Sequence, residues 1–159
     1  MSASMGLLQT SPLLLGLGAD ELQALVRTCQ LRTHRAGDVI VSEGQTSDCL
    51  FILKQGTVQI EKASDAGAVV LAELGQPGDF FGEMSLIDIM PRSADVRARE
   101  DTELLAFPKR ELTSFFASSP RAQMTMILNI ARNLSLRLRD ADLRIVELSS
   151  GQGAPPAGR

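Results

Sequence analysis

Residues 78–96 read GDFFGEMSLIDIMPRSADV, and this stretch organises the reading of the whole chain. Gly82 lets the backbone approach a ligand closely, because it carries no Cβ. Residues 83–89 have the length of one or two helical turns, and Pro91 ends them. The start of such a turn presents unpaired backbone N–H groups, a seat suited to phosphate. Glu83 supplies an acceptor for hydroxyls, such as those on a ribose edge. Arg92 and Ser93 then bring a cation and a hydroxyl to the same place. A cyclic phosphodiester carries one negative charge and two free oxygens, which a guanidinium fork matches.

Outward from this stretch the pattern is β-rich. Short runs such as VIV (39–41), CLFIL (49–53), TVQI (57–60) and VVLAEL (69–74) lie before it. SADVRARE (93–100) overlaps its end and TELLAFP (102–108) follows it. Turn signals at 36–38, 43–44, 55–56, 65–67 and 76–79 separate the earlier runs. Strands this short and this regularly spaced predict an antiparallel sandwich or barrel, with a jelly roll among the options. Helical patterns flank the β region. Residues 19–29 place Leu22, Leu25 and Val26 on one face, with Asp20 and Glu21 in the first turn. Residues 109–116 read as a short helix, and Ser119 with Pro120 as the cap and first position of a long one.

The order FGE, apolar, small, Leu, a short insert and then PRSA resembles the phosphate-binding cassette of cyclic-nucleotide-binding domains. These occur in bacterial cyclic AMP receptor proteins, protein kinase A regulatory subunits and nucleotide-gated channels. The likeness extends over roughly residues 12–148. It implies a mainly β fold with flanking helices: a jelly-roll β-barrel (a double-stranded β-helix) with an N-terminal helix and a long C-terminal helix. It also implies roles for particular residues. Gly82 and Glu83 hold the ribose, Glu83 taking its 2′-hydroxyl, while the backbone near Met84 and Ser85, with Arg92 and Ser93, holds the cyclic phosphate. Serine at 93, where members preferring cyclic GMP often carry threonine, leans toward cyclic AMP. The expected ligand is therefore cyclic AMP, with cyclic GMP or cyclic di-GMP as alternatives and no cofactor.

Along the long helix Ile127, Ala131, Leu134, Leu138, Ala141, Ile145 and Leu148 alternate in steps of four and three, a heptad seam. Arg137 and Asp142 fall where they would face each other across a parallel pair. This predicts a parallel homodimer through residues 120–148; the alternative is a helix whose apolar face covers its own barrel. Alignment with the receptors places Arg137 and Leu138 where those proteins carry a Thr–Ser pair that contacts adenine. Arg137 is thus assigned either to the base, by stacking or hydrogen bonding, or to Asp142 of a partner helix.

Composition excludes several other classes. The chain has 159 residues, 44% hydrophobic and 22% charged, with a formal charge of −3, and lacks Tyr and Trp. Such a charge gives no footprint for nucleic acid or an anionic membrane. Two cysteines, Cys29 and Cys49, make neither a disulfide scaffold nor a zinc site. One histidine, His34, is too few for the metal cluster of a cupin-type jelly-roll enzyme. The expectation is a protein that is no enzyme, with no catalytic residue and no metal. The apolar residues 13–15 are interrupted by Pro12, Gly16 and Gly18, so neither a signal peptide nor a membrane span is expected, and the cytoplasm is the expected compartment.

The domain is assigned to residues 1–148, with the barrel over about 30–108 and C-terminal helices over about 109–148. Residues 149–159 are assigned to a disordered tail. No helix-turn-helix follows, so DNA binding by this chain alone is not expected and output must pass to a downstream protein that the sequence does not identify. The alternative is a truncated transcription regulator.

Overall fold

The computed structural model describes residues 2–46, 48–86 and 91–151, the side chains of residues 2, 3 and 85 excepted. Helix α1 (Ser2–Thr10), a 3₁₀ turn (Pro12–Leu14) and α2 (Ala19–Val26) lead into eight strands. These are β1 (Gln30–His34), β2 (Val39–Val41), β3 (Cys49–Gln55), β4 (Val58–Ser64), β5 (Gly67–Leu74), β6 (Phe80–Phe81), β7 (Asp95–Ala98) and β8 (Thr102–Pro108). A second 3₁₀ turn (Glu83–Leu86) follows β6, and α3 (Lys109–Ser118) and α4 (Pro120–Gly151) close the chain. The strands form two four-stranded antiparallel sheets, ordered β1-β8-β3-β6 and β2-β7-β4-β5. This is the jelly roll with an N-terminal helical region and a long C-terminal helix.

Strand β3 has no polar residue from Cys49 to Leu53 because both of its faces are covered. Cys49, Phe51 and Leu53 point between the sheets, where they meet Val41, Val58, Phe81, Val96, Leu104 and Ala106. Leu50 and Ile52 point the other way, under the helices, with Phe80, Leu105, Phe107, Leu22, Leu25, Phe115 and Met126. Side chains in a strand alternate faces, so one apolar run serves two cores. Burying each large side chain contributes about 1.5–3 kcal/mol. The pair Phe80–Phe81 is divided in the same way, which fixes the backbone just before Gly82.

The helices dock in a defined order. Leu22 and Leu25 of α2 are buried as their spacing predicts, and Val26 packs at the margin of that core. The helix stops at Val26, short of the expected end at 29. Pro120 begins α4 as expected, but the Ser119 hydroxyl donates to Glu21 Oε1 (3.1 Å). Buried Asn129 on α4 donates to the carbonyls of Leu13 (2.8 Å) and Leu15 (2.9 Å), pinning the first 3₁₀ turn against the helix. Helix α4 runs on to Gly151, past the Ser149 boundary assigned to the tail; residues 152–159 lie outside the described residues.

Helix α1 and strand β1 had no counterpart in the sequence reading. Helix α1 contributes Leu8, fully buried, yet its sequence SASMGLLQT has little amphipathic pattern. Strand β1 carries a single aliphatic residue, Leu31, which is 55% exposed, and it sits at a sheet edge. Conversely, only Asp95–Ala98 of the run 93–100 is strand.

Candidate functional site

The site forms where β6 hands over to the second 3₁₀ turn, opposite the segment that precedes β7. Gly82 has φ +80°, a left-handed conformation that favours glycine. A Cβ there would stand 2.5 Å from Arg92 Nη1 and 2.8 Å from the Cys49 carbonyl oxygen. The glycine is therefore what lets the guanidinium lie against the turn. Arg92 itself is held on three sides. Its Nη2 donates to the Cys49 carbonyl (2.7 Å), its backbone N–H donates to Gln45 O (2.9 Å), and its own carbonyl accepts from Gly44 N–H (2.8 Å). Burial lowers the pKa of the half-buried guanidinium, and Asp48, Cys49 and Glu83 oppose that shift. The group stays charged, since arginine ionises far above neutrality.

Glu83 opens the 3₁₀ turn and is only 2% exposed. Burial pushes its carboxyl above the usual carboxylate range, against the pull of the Arg137 and Arg92 charges and of its own backbone N–H. Its Oε1 accepts from Arg137 Nη1 at 3.2 Å, and Arg137 Nη2 donates to the Phe80 carbonyl at 3.2 Å. In this single chain Arg137 thus reaches inward from α4 to the turn. Ser93 is exposed, and its carbonyl accepts from Lys62 Nζ (2.7 Å), which also pairs with Glu43 (3.0 Å). Met84 is 45% exposed beside the turn. The Ser85 side chain and residues 87–90, including the end of the expected 83–89 helical turns, lie outside the described residues.

Gly82, Glu83, Arg92 and Arg137 therefore come together, with Ser93 adjoining Arg92 in the chain. Sequence reasoning missed the Cys49 and Phe80 carbonyls, because a backbone acceptor leaves no residue-type signal. It also missed Lys62 as the support of the Ser93 backbone. Together the groups offer an anion seat of one guanidinium and an adjacent hydroxyl-bearing residue, next to a buried carboxylate able to accept from a hydroxyl. Among the described residues no group of His, Cys, Asp and Glu side chains is placed to hold a metal ion. No helix among them is long and apolar enough to cross a membrane.

A cyclic nucleotide-binding domain model matches residues 31–119. The chain belongs to this family. It is 34% identical over 139 residues to the cyclic AMP receptor protein of Thermus thermophilus, covering 87% of this chain and 62% of the receptor. It is also 34% identical over 143 residues to Glutaminase 1 of Bradyrhizobium diazoefficiens, covering 90% of this chain and 22% of that protein. The chain thus spans less than two thirds of these curated relatives. A crystal structure of a cyclic nucleotide-binding domain from Methylobacillus flagellatus superposes with a TM-score of 0.79 at 24% identity, covering 92% of this chain and 82% of that one, and shows the shared fold.

Proposed function

We propose that the protein is a sensor whose site binds cyclic AMP. The observation that carries this reading is the apposition of Gly82 and Arg92, with Glu83 buried alongside. In this reading the Arg92 fork and Ser93 take the cyclic phosphate with the backbone N–H groups near Met84 and Ser85. Glu83 accepts from the ribose 2′-hydroxyl, and Gly82 leaves room for both. The name of the Thermus relative, a cyclic AMP receptor, supports adenine over guanine, and so does Ser93. No step of this function requires chemistry on the ligand; binding energy alone does the work, and the domain acts as a non-catalytic regulator in the cytoplasm.

The signal passes through α4. Ile127, Leu138, Ile145 and Leu148 on this helix are 37%, 64%, 61% and 70% exposed in the single chain. That row of apolar side chains supports a parallel homodimer through residues 120–148, leaving the barrel faces to a downstream protein. The domain would comprise residues 1–148, whether it acts alone or, as the match to a stretch of Glutaminase 1 suggests, beside another module.

Calorimetric titration with cyclic AMP, cyclic GMP and cyclic di-GMP tests the reading. Micromolar or tighter binding of cyclic AMP is expected; saturation by cyclic di-GMP alone, or by none of the three, overturns it.

A further inference from the structure

The backbone that carries Arg92 lies ahead of β7, which begins at Asp95, so no strand ladder aims it. A short pairing with the loop after β2 holds it instead. Gly44 N–H donates to the Arg92 carbonyl (2.8 Å), and Arg92 N–H donates to the Gln45 carbonyl (2.9 Å). That loop is tied down at Glu43, whose backbone N–H donates to Asp95 Oδ1 (2.5 Å) and whose Oε1 accepts from Lys62 Nζ (3.0 Å). The same ammonium donates to the Ser93 carbonyl at 2.7 Å. One lysine therefore joins both halves of the pairing to β4. Residues two apart in a strand point the same way, so Lys62 shares the strand face of Val58 and Ile60, which pack between the sheets.

Stability gives little reason for this arrangement. The Lys62 and Glu43 side chains are 49% and 37% exposed, and an ion pair so open to water contributes little to folding. The bond to Ser93 differs in kind, because a charged donor on a backbone carbonyl is short and geometrically demanding. It fixes the residue next to the guanidinium. We propose that Lys62 is a positioning residue for the anion seat: it ties residues 43–45 and the Ser93 backbone to β4 and so aims the Arg92 fork. The inference rests on the cyclic-nucleotide reading of the same site. Lys62 acts through Arg92 and Ser93, so its loss falls on the phosphate contact and leaves the ribose contact of Glu83 alone.

The test uses the full chain, the variants K62M, K62R and E43Q, and two ligands, cyclic AMP and 2′-deoxy cyclic AMP. K62M should weaken both ligands by the same factor, about tenfold, the scale of one hydrogen bond to a charged group. Its thermal midpoint should stay within about 4 °C of wild type. Amide hydrogen exchange followed by NMR should quicken about tenfold at Gly44 and Arg92 in K62M, with the amides of β3 and β8 unchanged. K62R, which keeps the charge and the donors, should restore binding and exchange. E43Q should shift both in the same direction as K62M, and it decides the matter if K62M proves unfolded by circular dichroism. Unchanged affinity, or a loss confined to cyclic AMP, overturns the positioning role while leaving the site assignment intact. Exchange that quickens throughout the sheets makes the lysine a general structural support and overturns it too. Binding of neither ligand by wild type overturns the site assignment itself, and the role of Lys62 with it.

Discussion

Gly82 and Arg92 define each other's position: the Nη1 atom of the arginine lies 2.5 Å from the point a Cβ on the glycine would occupy. The two are joined by a turn in the left-handed region and by the shared Cys49 carbonyl, which the arginine grips through Nη2. Gly82→Ala would impose roughly 1–3 kcal/mol of backbone strain and push the guanidinium off its seat. Cyclic AMP binding should weaken by at least about tenfold. Calorimetry on the variant checks this, and wild-type affinity would show that the arginine has no need of that space.

Arg92→Ala should cost cyclic AMP affinity roughly 2–5 kcal/mol, the range for removing one partner of a buried charge pair. Glu83→Gln should cost less, because the amide keeps one carbonyl acceptor for the hydroxyl. Titrating both variants side by side tests the ordering; a larger loss in the glutamine variant would reverse the assigned roles.

Glu83 also makes stability depend on pH. Burial raises its pKa in the folded protein, with Arg137 and Arg92 as the opposing charges facing it. The folded state therefore holds that proton more tightly than the unfolded chain. The resulting stability is fully present below the unfolded carboxyl pKa and is lost as pH rises through the folded one. Relative to Glu83→Gln, the wild type should become progressively less stable on raising the pH across that window. Denaturant unfolding at a series of pH values measures the difference, and a gap that stays flat or widens in favour of the wild type contradicts it.

The proposed dimer has a clean test in Leu138→Asp combined with Ile145→Asp. Both side chains are more than 60% exposed, whereas Leu134 in the same seam is half-buried against the helical core and would damage the fold if charged. Light scattering should report a monomer for the double variant and a dimer for the wild type. A variant that remains dimeric removes these positions from the interface.

Discrimination between cyclic AMP and cyclic GMP should stay within about a hundredfold, or about 2.7 kcal/mol. Position 93 lacks the threonine methyl and hydroxyl combination, and Arg137 is turned toward Glu83 instead of outward along the seam. Competition titration with the two nucleotides measures the ratio, and a larger one would reveal a base contact from another residue.

The apposition of Gly82, Glu83 and Arg92 was legible in the sequence because these residues lie within eleven positions of one another. The barrel was legible where apolar runs are dense, as in β3, whose two buried faces leave no polar position. Strand β1 was not, since an edge strand with Leu31 facing solvent has no alternation to detect. Helix α1 was missed for a related reason: its place is set by tertiary packing around Leu8, which its own pattern scarcely announces. The Arg137–Glu83 pair joins residues 54 positions apart and depends on how α4 lies across the barrel. Heptad spacing gives the faces of a helix but not the direction in which each is turned.

Strand β5 ends its sheet, and Val69, Val70 and Leu71 on it are 44–48% exposed. Its register against β4 slips between Ile60, opposite Ala72, and Glu61, opposite Val70, so Leu71 is the unmatched residue of a bulge. The Arg144 guanidinium caps the carbonyl of that same residue. A flat apolar edge would be a template for another chain's strand, and a bulge with a charged side chain laid over it breaks the template. The far end of α4 thus covers part of an edge that would otherwise be open to pairing with the strand of a second chain.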